Sequence, residues 1–542
     1  MYKENIQIFY KIKHTPRQIQ VNALNFTKHQ IRHGKKYVML NMPTGTGKSL
    51  YSVMFINWYL NYINNDAKFD ILTNSKILQN QYTEEFPFMS SLMGKNSYQC
   101  DCYPNTSCQE GKELNKAMKK TCNNCPYDKA MFGWKSNKIS LTNFHLFDTL
   151  NLFLPTLIEE RKSNVLIIDE AHDFESILCD FISNKISKKS LKNLGFKDYS
   201  IHNIYNEIKN INTIDDYAEY IETKLLIKIE NLEQSIEETI GNTNYSIKDK
   251  VKLSKNLAAI TGAISNYKTF LKDFSENKNN WVLDIEKTDD LVFKNNLSAQ
   301  PVWSYKYLQK IIWNKYDHVI FMSGTLLDKE LFSYLNGIDS SLSGYYDITS
   351  PFPIENRPIY YAKNIGKMSF TDKEETFKKQ VKYIDEIIKT HKNDKGIIHC
   401  SNYELSNWLE NYYKNNKRFI FHTPDNRDEA LFKHIASDEP TIIVSPSMIA
   451  GVDFKDDLSR FQIITKIPYP NMGSSKIKKR MSDNKDWYQY KTCCDFIQSY
   501  GRSIRNMDDH CDTYVLDSSF SLLLRYGYKY FPEYITNAIK LF

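Results

Sequence analysis

The feature that most constrains this chain is a seven-residue segment, Pro43-Thr44-Gly45-Thr46-Gly47-Lys48-Ser49, between a short apolar run and a helix-like run. Its glycines let the backbone turn N–H groups inward, where they hold phosphate oxygens together with the N-terminus of the next helix. In such a loop Lys48 reaches the β- and γ-phosphates and the Ser49 hydroxyl holds Mg²⁺. The segment therefore predicts a nucleotide-binding α/β domain in which Thr44, Gly45, Thr46 and Gly47 form the phosphate cradle.

A pair of carboxylates, Asp169 and Glu170, directly follows the apolar run Val165–Ile168. Such a continuous apolar run is typical of a strand in a parallel sheet that is covered on both faces. An Asp at the end of the strand can hold Mg²⁺, and the following Glu can polarise the attacking water. The alternative is an ordinary acidic helix start, in which both carboxylates interact favourably with the helix dipole. The phosphate-binding loop earlier in the chain favours the catalytic interpretation.

The third pattern is Gln498-Ser499-Tyr500-Gly501-Arg502-Ser503-Ile504-Arg505, near the end of the sequence. Two arginines three residues apart on a helix would share one face. Arginines aimed at a γ-phosphate stabilise the charge of the transition state. Taken alone, the pattern is more typical of a solvated basic helix, so the catalytic interpretation depends on the two earlier patterns.

Half of the cysteines lie in one short segment: Cys100, Cys102, Cys108, Cys122 and Cys125. A secreted disulfide scaffold is small and cysteine-rich throughout, whereas this is a local cluster in a chain of 542 residues. The cluster therefore favours a metal or iron–sulfur site. Four thiolates suit a [4Fe–4S] cluster and equally suit tetrahedral Zn²⁺, and the spacing leaves both open.

The remaining pattern predicts two α/β lobes with two insertions in the first. Short apolar runs alternate with helix-like segments in residues 1–90, 136–179 and 286–340, and again in 341–542, which favours parallel sheets covered by helices. Residues 91–135 contain the cysteines, and residues 180–285 are polar and helical. In this helical insertion apolar residues recur at steps of three and four, on either side of a turn at 241–244: Tyr217, Ile221, Leu225, Ile229, Leu232, Ile236 and Ile240, then Leu253, Leu257, Ile260, Ile264, Tyr267, Leu271 and Phe274.

Charge and hydropathy exclude some classes of protein. Lys and Arg exceed Asp and Glu by seven, 71 against 64, which permits a polyanionic partner without requiring one. The basic run Lys476–Arg480 is interpreted as a solvated face. No apolar run approaches the ~18 residues that a membrane span needs, and the N-terminus lacks the apolar core of a signal peptide. We therefore expect a soluble cytoplasmic protein without membrane contact.

The three motifs together resemble those of superfamily 2 DNA helicases of the XPD/DinG type, the iron–sulfur-containing branch. The resemblance extends over nearly the whole chain, because further segments are similar to other family motifs in the same order. These are Arg17–Gln20 near the adenine, Ile71–Gln79 as motif Ia, Ser323–Leu326 as motif III, Ile397–Ser401 as motif IV and Ser445–Phe454 as motif V. The resemblance implies two RecA-like lobes with ATP between them, a cysteine-cluster insertion at 91–135 and a helical Arch-like insertion at 180–285.

The resemblance also implies the roles of individual residues. Catalysis would depend on Lys48, Glu170, Arg502 and Arg505, and Mg²⁺ would be held by Ser49 and Asp169. Nucleotide contacts beyond the loop and Asp169 would come from Arg17, Gln20, Asp453 and Gln498. A [4Fe–4S] cluster, with zinc as the alternative, would be held by Cys100, Cys108, Cys122 and Cys125, with Cys102 as the alternative ligand.

The implied activity is ATP-dependent 5′→3′ translocation on single-stranded DNA and unwinding of duplex DNA, by a monomer that acts on single-stranded and forked DNA. One alternative is a translocase that acts on RNA or displaces proteins with the same ATPase. A helicase–nuclease fusion is a second alternative, but the segment before Met42 is too short for a nuclease domain. A third is a cysteine-cluster binding module with an inactive ATPase, which the presence of Lys48, Glu170 and Arg502 argues against.

Overall fold

The computed structural model describes residues 14–241, 245–369, 371–446, 454, 456–504 and 507–541. Seventeen strands lie in this part of the chain, and their bounds are β1 Tyr37–Asn41, β2 Phe69–Thr73, β3 Ser90–Ser91, β4 Ile139–Asn143, β5 Val165–Asp169, β6 Asn184–Ile186, β7 Trp281–Lys287, β8 Asn295–Pro301, β9 His318–Ser323, β10 Ser343–Asp347, β11 Ile359–Tyr361, β12 Gly396–His399, β13 Phe419–Ile420, β14 Ile442–Ser445, β15 Phe461–Ile464, β16 Asp512–Val515 and β17 Ile539–Leu541.

The helices cover the sheets and build the helical insertion. Their bounds are α1 Gln18–Arg32, α2 Lys48–Tyr62, α3 Lys76–Glu85, α4 Cys108–Ala117, α5 Pro126–Ser136, α6 Phe144–Phe153, α7 Pro155–Arg161, α8 Phe174–Ile182, α9 Lys188–Leu194, α10 Asp198–Ile208, α11 Ile214–Tyr220, α12 Leu226–Gly241, α13 Ile247–Asn277, α14 Tyr305–Tyr307, α15 Lys329–Asn336, α16 Lys373–Thr390, α17 Tyr403–Tyr413, α18 Arg427–Ala436, α19 Ser475–Asp483, α20 Lys485–Tyr500, α21 Phe520–Gly527 and α22 Glu533–Thr536. No helix of the described ranges is long and apolar enough to cross a bilayer.

The first lobe is a parallel sheet of seven strands in the order β10-β1-β9-β5-β2-β4-β3. Strands β1, β2, β4 and β5 are buried at every position, because helices cover both faces of the sheet. Alternate side chains accordingly enter two separate cores: Ile167 packs in one and Ile168 in the other. Since all strands run in one direction, the loops after β1, β2, β5 and β9 meet at one edge of the sheet, where ligands bind in folds of this class.

The second lobe is also a parallel sheet of seven strands, in the order β13-β14-β12-β15-β16-β11-β17. The fold class is therefore the predicted one, two α/β lobes with parallel sheets. The predicted start of the second lobe at residue 341 needs correction, because β10 (Ser343–Asp347) pairs with β1 in the first sheet. The five residues of β10, Ser-Gly-Tyr-Tyr-Asp, form no apolar run, so only their pairing identifies them as a strand.

The helical insertion has a core of its own, to which helices α9 to α13 contribute. Tyr217, Ile221 and Ile229 are fully buried there, as expected for an amphipathic helical pattern. The predicted turn at 241–244 lies outside the described residues except for Gly241. An antiparallel sheet in the order β6-β8-β7, which the sequence did not predict, contributes Ile186, Trp281, Leu297 and Ala299 to this core. Its β7–β8 hairpin crosses the predicted end of the insertion at residue 285.

The predicted solvated face at Lys476–Arg480 is wrong for Lys476 and Arg480, which are 7% and 4% exposed. The guanidinium of Arg480 donates to both carboxylate oxygens of Glu175, at 2.7 and 3.1 Å, and contacts the rings of Trp303 and Trp487. Burial alone would raise the pKa of Glu175, but the Arg480 charge lowers it below its usual value. Because Glu175 is on α8 of the first lobe and Arg480 on α19, no local pattern could reveal this pair.

Replacing Arg480 with Ala is expected to lower the free energy of unfolding by about 3–5 kcal/mol, because Glu175 would remain buried without its partner. The matched control is Lys479→Ala on the same helix, whose pair with Asp483 is partly exposed and is expected to be worth less than about 1 kcal/mol. Denaturant unfolding followed by circular dichroism measures both. Equal losses for the two variants would contradict the structural role of the buried pair.

Candidate nucleotide-binding and hydrolysis site

The phosphate-binding loop connects β1 to α2 at the ligand-binding edge of the first sheet. Gly45 and Gly47 have φ of +77° and +78°, a region that residues with a Cβ rarely adopt. A Cβ at Gly45 would lie 2.1 Å from the ring of Phe352, and one at Gly47 would lie 2.2 Å from Gln20 Nε2. The backbone conformation and the close neighbours therefore both require glycine at these two positions.

Two side chains at the start of α1 donate hydrogen bonds to the backbone of this loop. Gln20 Nε2 donates to the carbonyl oxygens of Thr46 and Gly47, at 3.0 and 3.2 Å. Arg17 Nη2 donates to the carbonyl oxygen of Gly45 at 2.6 Å. The structure thus brings both predicted residues to the nucleotide loop, where they bind its backbone. Their predicted contact with the adenine stays a prediction.

Lys48 lies between the two carboxylates that follow β5. Its ammonium is 2.5 Å from Glu170 Oε1 and 3.7 Å from Asp169 Oδ1. Burial raises the pKa of Asp169 above its usual value. Burial opposes ionisation of Glu170 as well, but Lys48, His172 and Arg502 outweigh it and lower the pKa of Glu170 to about 2. The site therefore holds a charged lysine against ionised Glu170, in a position where phosphate oxygens can replace the carboxylate.

The predicted Mg²⁺ ligands Ser49 and Asp169 both contact α3. Ser49 Oγ donates to Glu85 Oε2 at 3.2 Å, and the hydroxyl of Tyr82 donates to Asp169 Oδ2 at 2.9 Å. Neither Tyr82 nor Glu85 was predicted as a site residue. The available signal was their spacing of three residues on a helix, which puts them on one face.

The second lobe contributes Gln498 and Arg502. The expectation of a helical position is wrong for Arg502, because α20 ends at Tyr500 and Arg502 follows in a turn. Gln498 Nε2 donates to Thr325 Oγ1 of the first lobe at 2.8 Å, and Arg502 Nη2 donates to Gln498 Oε1 at 3.3 Å. The predicted residues Asp453 and Arg505, and most of motif V, lie outside the described residues.

Polar side chains connect the ends of three strands of the first lobe. Asn74, after β2, donates to Asp173 Oδ2 at 3.1 Å, and Asp173 Oδ1 is 3.3 Å from His172 Nε2. His172 Nδ1 is 2.7 Å from the hydroxyl of Ser323, which in turn is 3.3 Å from the hydroxyl of Thr325. With the bond from Gln498 to Thr325, the network extends from the first lobe to the second.

A cleft of about 530 Å³ brings these groups together. Its first-lobe wall contains the whole loop from Pro43 to Ser49 together with Asp169, Glu170 and His172. Its second-lobe wall contains Leu431, Ile435, Gln498 and Arg502. The described parts of all three sequence motifs therefore face one space between the lobes.

The clustered cysteines also lie close to one another. Cys102 Sγ is 3.0 Å from Cys122 Sγ, and this contact is the largest cause that raises the pKa of Cys102 to about 11. Burial, with a smaller contribution from the neighbouring Cys125 thiol, raises the pKa of Cys108 to about 11. Since adjacent thiols oppose each other's ionisation, a cation among them would favour the thiolate forms.

The thiol of Cys100 requires a small neighbour on α4. A Cβ on Gly111 of α4 would lie 2.4 Å from Cys100 Sγ. Within the described ranges no three His, Cys, Asp or Glu side chains already converge as metal ligands. Cysteine thiolates are ligands of both iron–sulfur clusters and Zn²⁺, and the bound metal and the choice of four ligands among five stay predictions.

Comparisons with known proteins agree with this geometry. Residues 13–214 match the family "Type III restriction enzyme, res subunit", and residues 384–537 match the Helicase C-terminal domain. A relative named ATP-dependent DNA helicase CHL1 from Vanderwaltozyma polyspora is 25% identical over 75% of this chain and 57% of its own length. The protein of the same name from Debaryomyces hansenii is 22% identical over 66% of this chain and 53% of its own. The chain thus spans just over half the length of these curated relatives.

Two solved structures share the fold along nearly the whole chain. One titled XPD_Helicase has a TM-score of 0.65 at 15% identity and covers 97% of this chain and 100% of its own. The structure of S. tokodaii Xpd4 has a TM-score of 0.59 at 14% identity, with the same coverage. The chain thus has two parallel-sheet lobes, with a phosphate-binding loop of the first and an arginine of the second at one cleft. The chain is therefore similar to XPD structures in fold and to the CHL1 DNA helicases in sequence.

Proposed function

We propose that this protein is an ATP-dependent DNA helicase that moves 5′→3′ along single-stranded DNA, as a monomer, and unwinds duplex or forked DNA. The observation that carries the proposal is the single cleft shared by the phosphate-binding loop and carboxylates of one lobe and by Gln498 and Arg502 of the other. DNA as the substrate is supported by the names of the two curated relatives. The direction of movement depends on the family resemblance alone.

Hydrolysis would begin with an exchange of partners at Lys48. The γ-phosphate replaces Glu170 at the Lys48 ammonium, and this frees the ionised carboxylate to orient the attacking water. Ser49 and Asp169 would hold Mg²⁺, which neutralises charge on the phosphate oxygens. Arg502 approaches from the second lobe, so it stabilises the transition state only when the cleft is closed.

Movement would follow from the opening and closing of this cleft. Loss of the γ-phosphate removes the contact that favours the closed state, so each cycle shifts the equilibrium between the two states. The network from His172 through Ser323 and Thr325 to Gln498 supports a relay between the carboxylates and the second lobe. A strand held through its phosphates and by base stacking would then be moved, and binding should weaken with salt.

The cysteine segment would hold a [4Fe–4S] cluster through Cys100, Cys108, Cys122 and Cys125, with zinc as the alternative metal. Anaerobic purification should give iron and acid-labile sulfide in equal amounts, whereas a zinc site gives zinc without sulfide. Cys102→Ser and Cys108→Ser then identify the fourth ligand, because loss of a ligand lowers the metal content and loss of the spare thiol leaves it unchanged. Metal loss in the Cys102 variant alone would contradict the proposed set.

Strand displacement with ATP and Mg²⁺ tests the function, on duplexes that carry either a 5′ or a 3′ single-stranded tail. We expect unwinding from the 5′ tail only. Unwinding from the 3′ tail only would be consistent with the proposed ATPase but would contradict the proposed 5′→3′ direction. ATP hydrolysis without unwinding would favour the translocase alternative, and competition between single-stranded DNA and RNA for stimulation of the ATPase identifies its substrate.

A further inference from the structure

Helix α3 presents a tyrosine to the carboxylate that ends β5. Tyr82 is 1% exposed, and its hydroxyl donates to Asp169 Oδ2 at 2.9 Å. The other oxygen, Oδ1, accepts the backbone N–H of Glu170 at 2.9 Å. Asp169 is therefore held at both oxygens, and its side chain has one defined orientation toward the cleft.

One turn further along α3, Glu85 contacts the hydroxyl of the phosphate-binding loop. Ser49 Oγ donates to Glu85 Oε2 at 3.2 Å. A hydroxyl that donates its proton to a carboxylate directs its lone pairs away from that carboxylate and leaves them available for a cation. One face of a single helix thus contacts the side chains of both predicted Mg²⁺ ligands.

The helix itself is held firmly against the sheet. Gln79, in the middle of α3, is fully buried, and its Nε2 donates to the carbonyl oxygen of Leu92 and the hydroxyl of Ser91, both at 2.8 Å. Asn143 Nδ2 donates to Gln79 Oε1 at 3.3 Å. These bonds attach α3 to the segment around β3 and to the end of β4, so the positions of Tyr82 and Glu85 are defined by the sheet.

We infer that Tyr82 and Glu85 are positioning residues of the Mg²⁺–nucleotide site, which orient Asp169 and Ser49 before Mg²⁺ binds. This inference depends on the proposed nucleotide site and adds two residues to it. Hydrogen-bond partners behind metal ligands fix the orientation of those ligands, and their loss typically weakens metal binding about tenfold or more. The two residues act through Asp169 and Ser49, so their loss should affect Mg²⁺-dependent binding and leave Mg²⁺-independent binding unchanged.

The test compares the affinity of a fluorescent ADP analogue in EDTA and in excess Mg²⁺. In Tyr82→Phe the ring remains and only the hydroxyl is lost, so we expect the Mg²⁺-dependent gain in affinity to fall about tenfold, with the affinity in EDTA unchanged. The matched control is Tyr51→Phe, which removes a buried tyrosine hydroxyl that is 2.6 Å from Thr27 Oγ1 in the same lobe. This control should bind the ADP analogue with the affinity of the unsubstituted protein, both in EDTA and in Mg²⁺.

A pair of variants at Glu85 separates positioning from packing. Glu85→Ala removes the acceptor and should lower the Mg²⁺-dependent gain, whereas Glu85→Gln keeps an acceptor oxygen and should restore most of it. A full gain in Tyr82→Phe, equal losses in EDTA and in Mg²⁺, or identical behaviour of the two Glu85 variants would each overturn the inference. Because ADP binding needs no hydrolysis, a chain that binds Mg²⁺–ADP but does not turn over ATP would contradict the proposed function and leave this measurement valid.

Discussion

Replacing Lys48 with Ala is expected to lower ATP turnover at least about a thousandfold, because the Lys48 ammonium would neutralise negative charge on the phosphates. Its loss also leaves Asp169 and Glu170 next to each other without the cation that lies between them. The carboxylates would then repel the incoming phosphates. Release of inorganic phosphate in the presence of saturating single-stranded DNA measures the effect.

The control for Lys48 is Lys138→Ala in the same lobe, where a partly exposed lysine pairs with Asp66 at 3.5 Å. This variant should hydrolyse ATP at the original rate, since the pair lies outside the cleft. Unchanged hydrolysis in Lys48→Ala would contradict the assignment of the phosphate-binding loop. It would equally remove the basis for placing Mg²⁺ at Ser49 and Asp169.

Replacing Arg502 with Ala is expected to lower kcat about 10³–10⁵-fold, as for other arginines that stabilise phosphoryl transfer. The affinity for ATP should change much less, because Arg502 belongs to the second lobe and the phosphate cradle belongs to the first. Arg502→Lys should recover little, since the planar guanidinium can donate two parallel bonds and the ammonium cannot. Steady-state kinetics together with equilibrium ATP binding separate kcat from affinity.

The matched control is Arg525→Ala in the second lobe, where the guanidinium lies over the ring of Tyr526. We expect its kcat to be unchanged. A loss of ATP affinity in Arg502→Ala as large as the loss of kcat would contradict a role confined to the transition state. It would indicate that Arg502 binds the nucleotide equally before and during hydrolysis.

The strands of both sheets were predictable where the apolar run is continuous. The predicted run Val165–Ile168 forms β5, because strands that are buried on both faces need apolar residues at successive positions. The β7–β8 hairpin and β10 were not predicted, since one face of such strands is half exposed and their residues include Asn, Ser and Asp. Their pairing partners, not their local pattern, make them strands.

The residues of the candidate site also fall into two groups, those that the sequence predicts and those that only the structure reveals. Lys48, Ser49, Asp169 and Glu170 were predictable because loop and strand-end chemistry requires these residue types at these local positions. Tyr82 and Glu85 were not, because an ordinary helix contains such residues at many positions and only their contacts distinguish them. The turn at Arg502 was also missed, since the helical pattern continues through a glycine that in the structure follows the last helical residue.

The sequence by itself determined the fold class, the phosphate-binding loop, the carboxylate pair and the clustered thiols, because each depends on neighbouring residues along the chain. Only the tertiary structure decided which groups meet. Arg480 is buried against Glu175, Gln498 bonds to Thr325, and Tyr82 holds Asp169. These partners are far apart in sequence, and the free energy of each contact arises from burial and charge that exist only after the chain has folded.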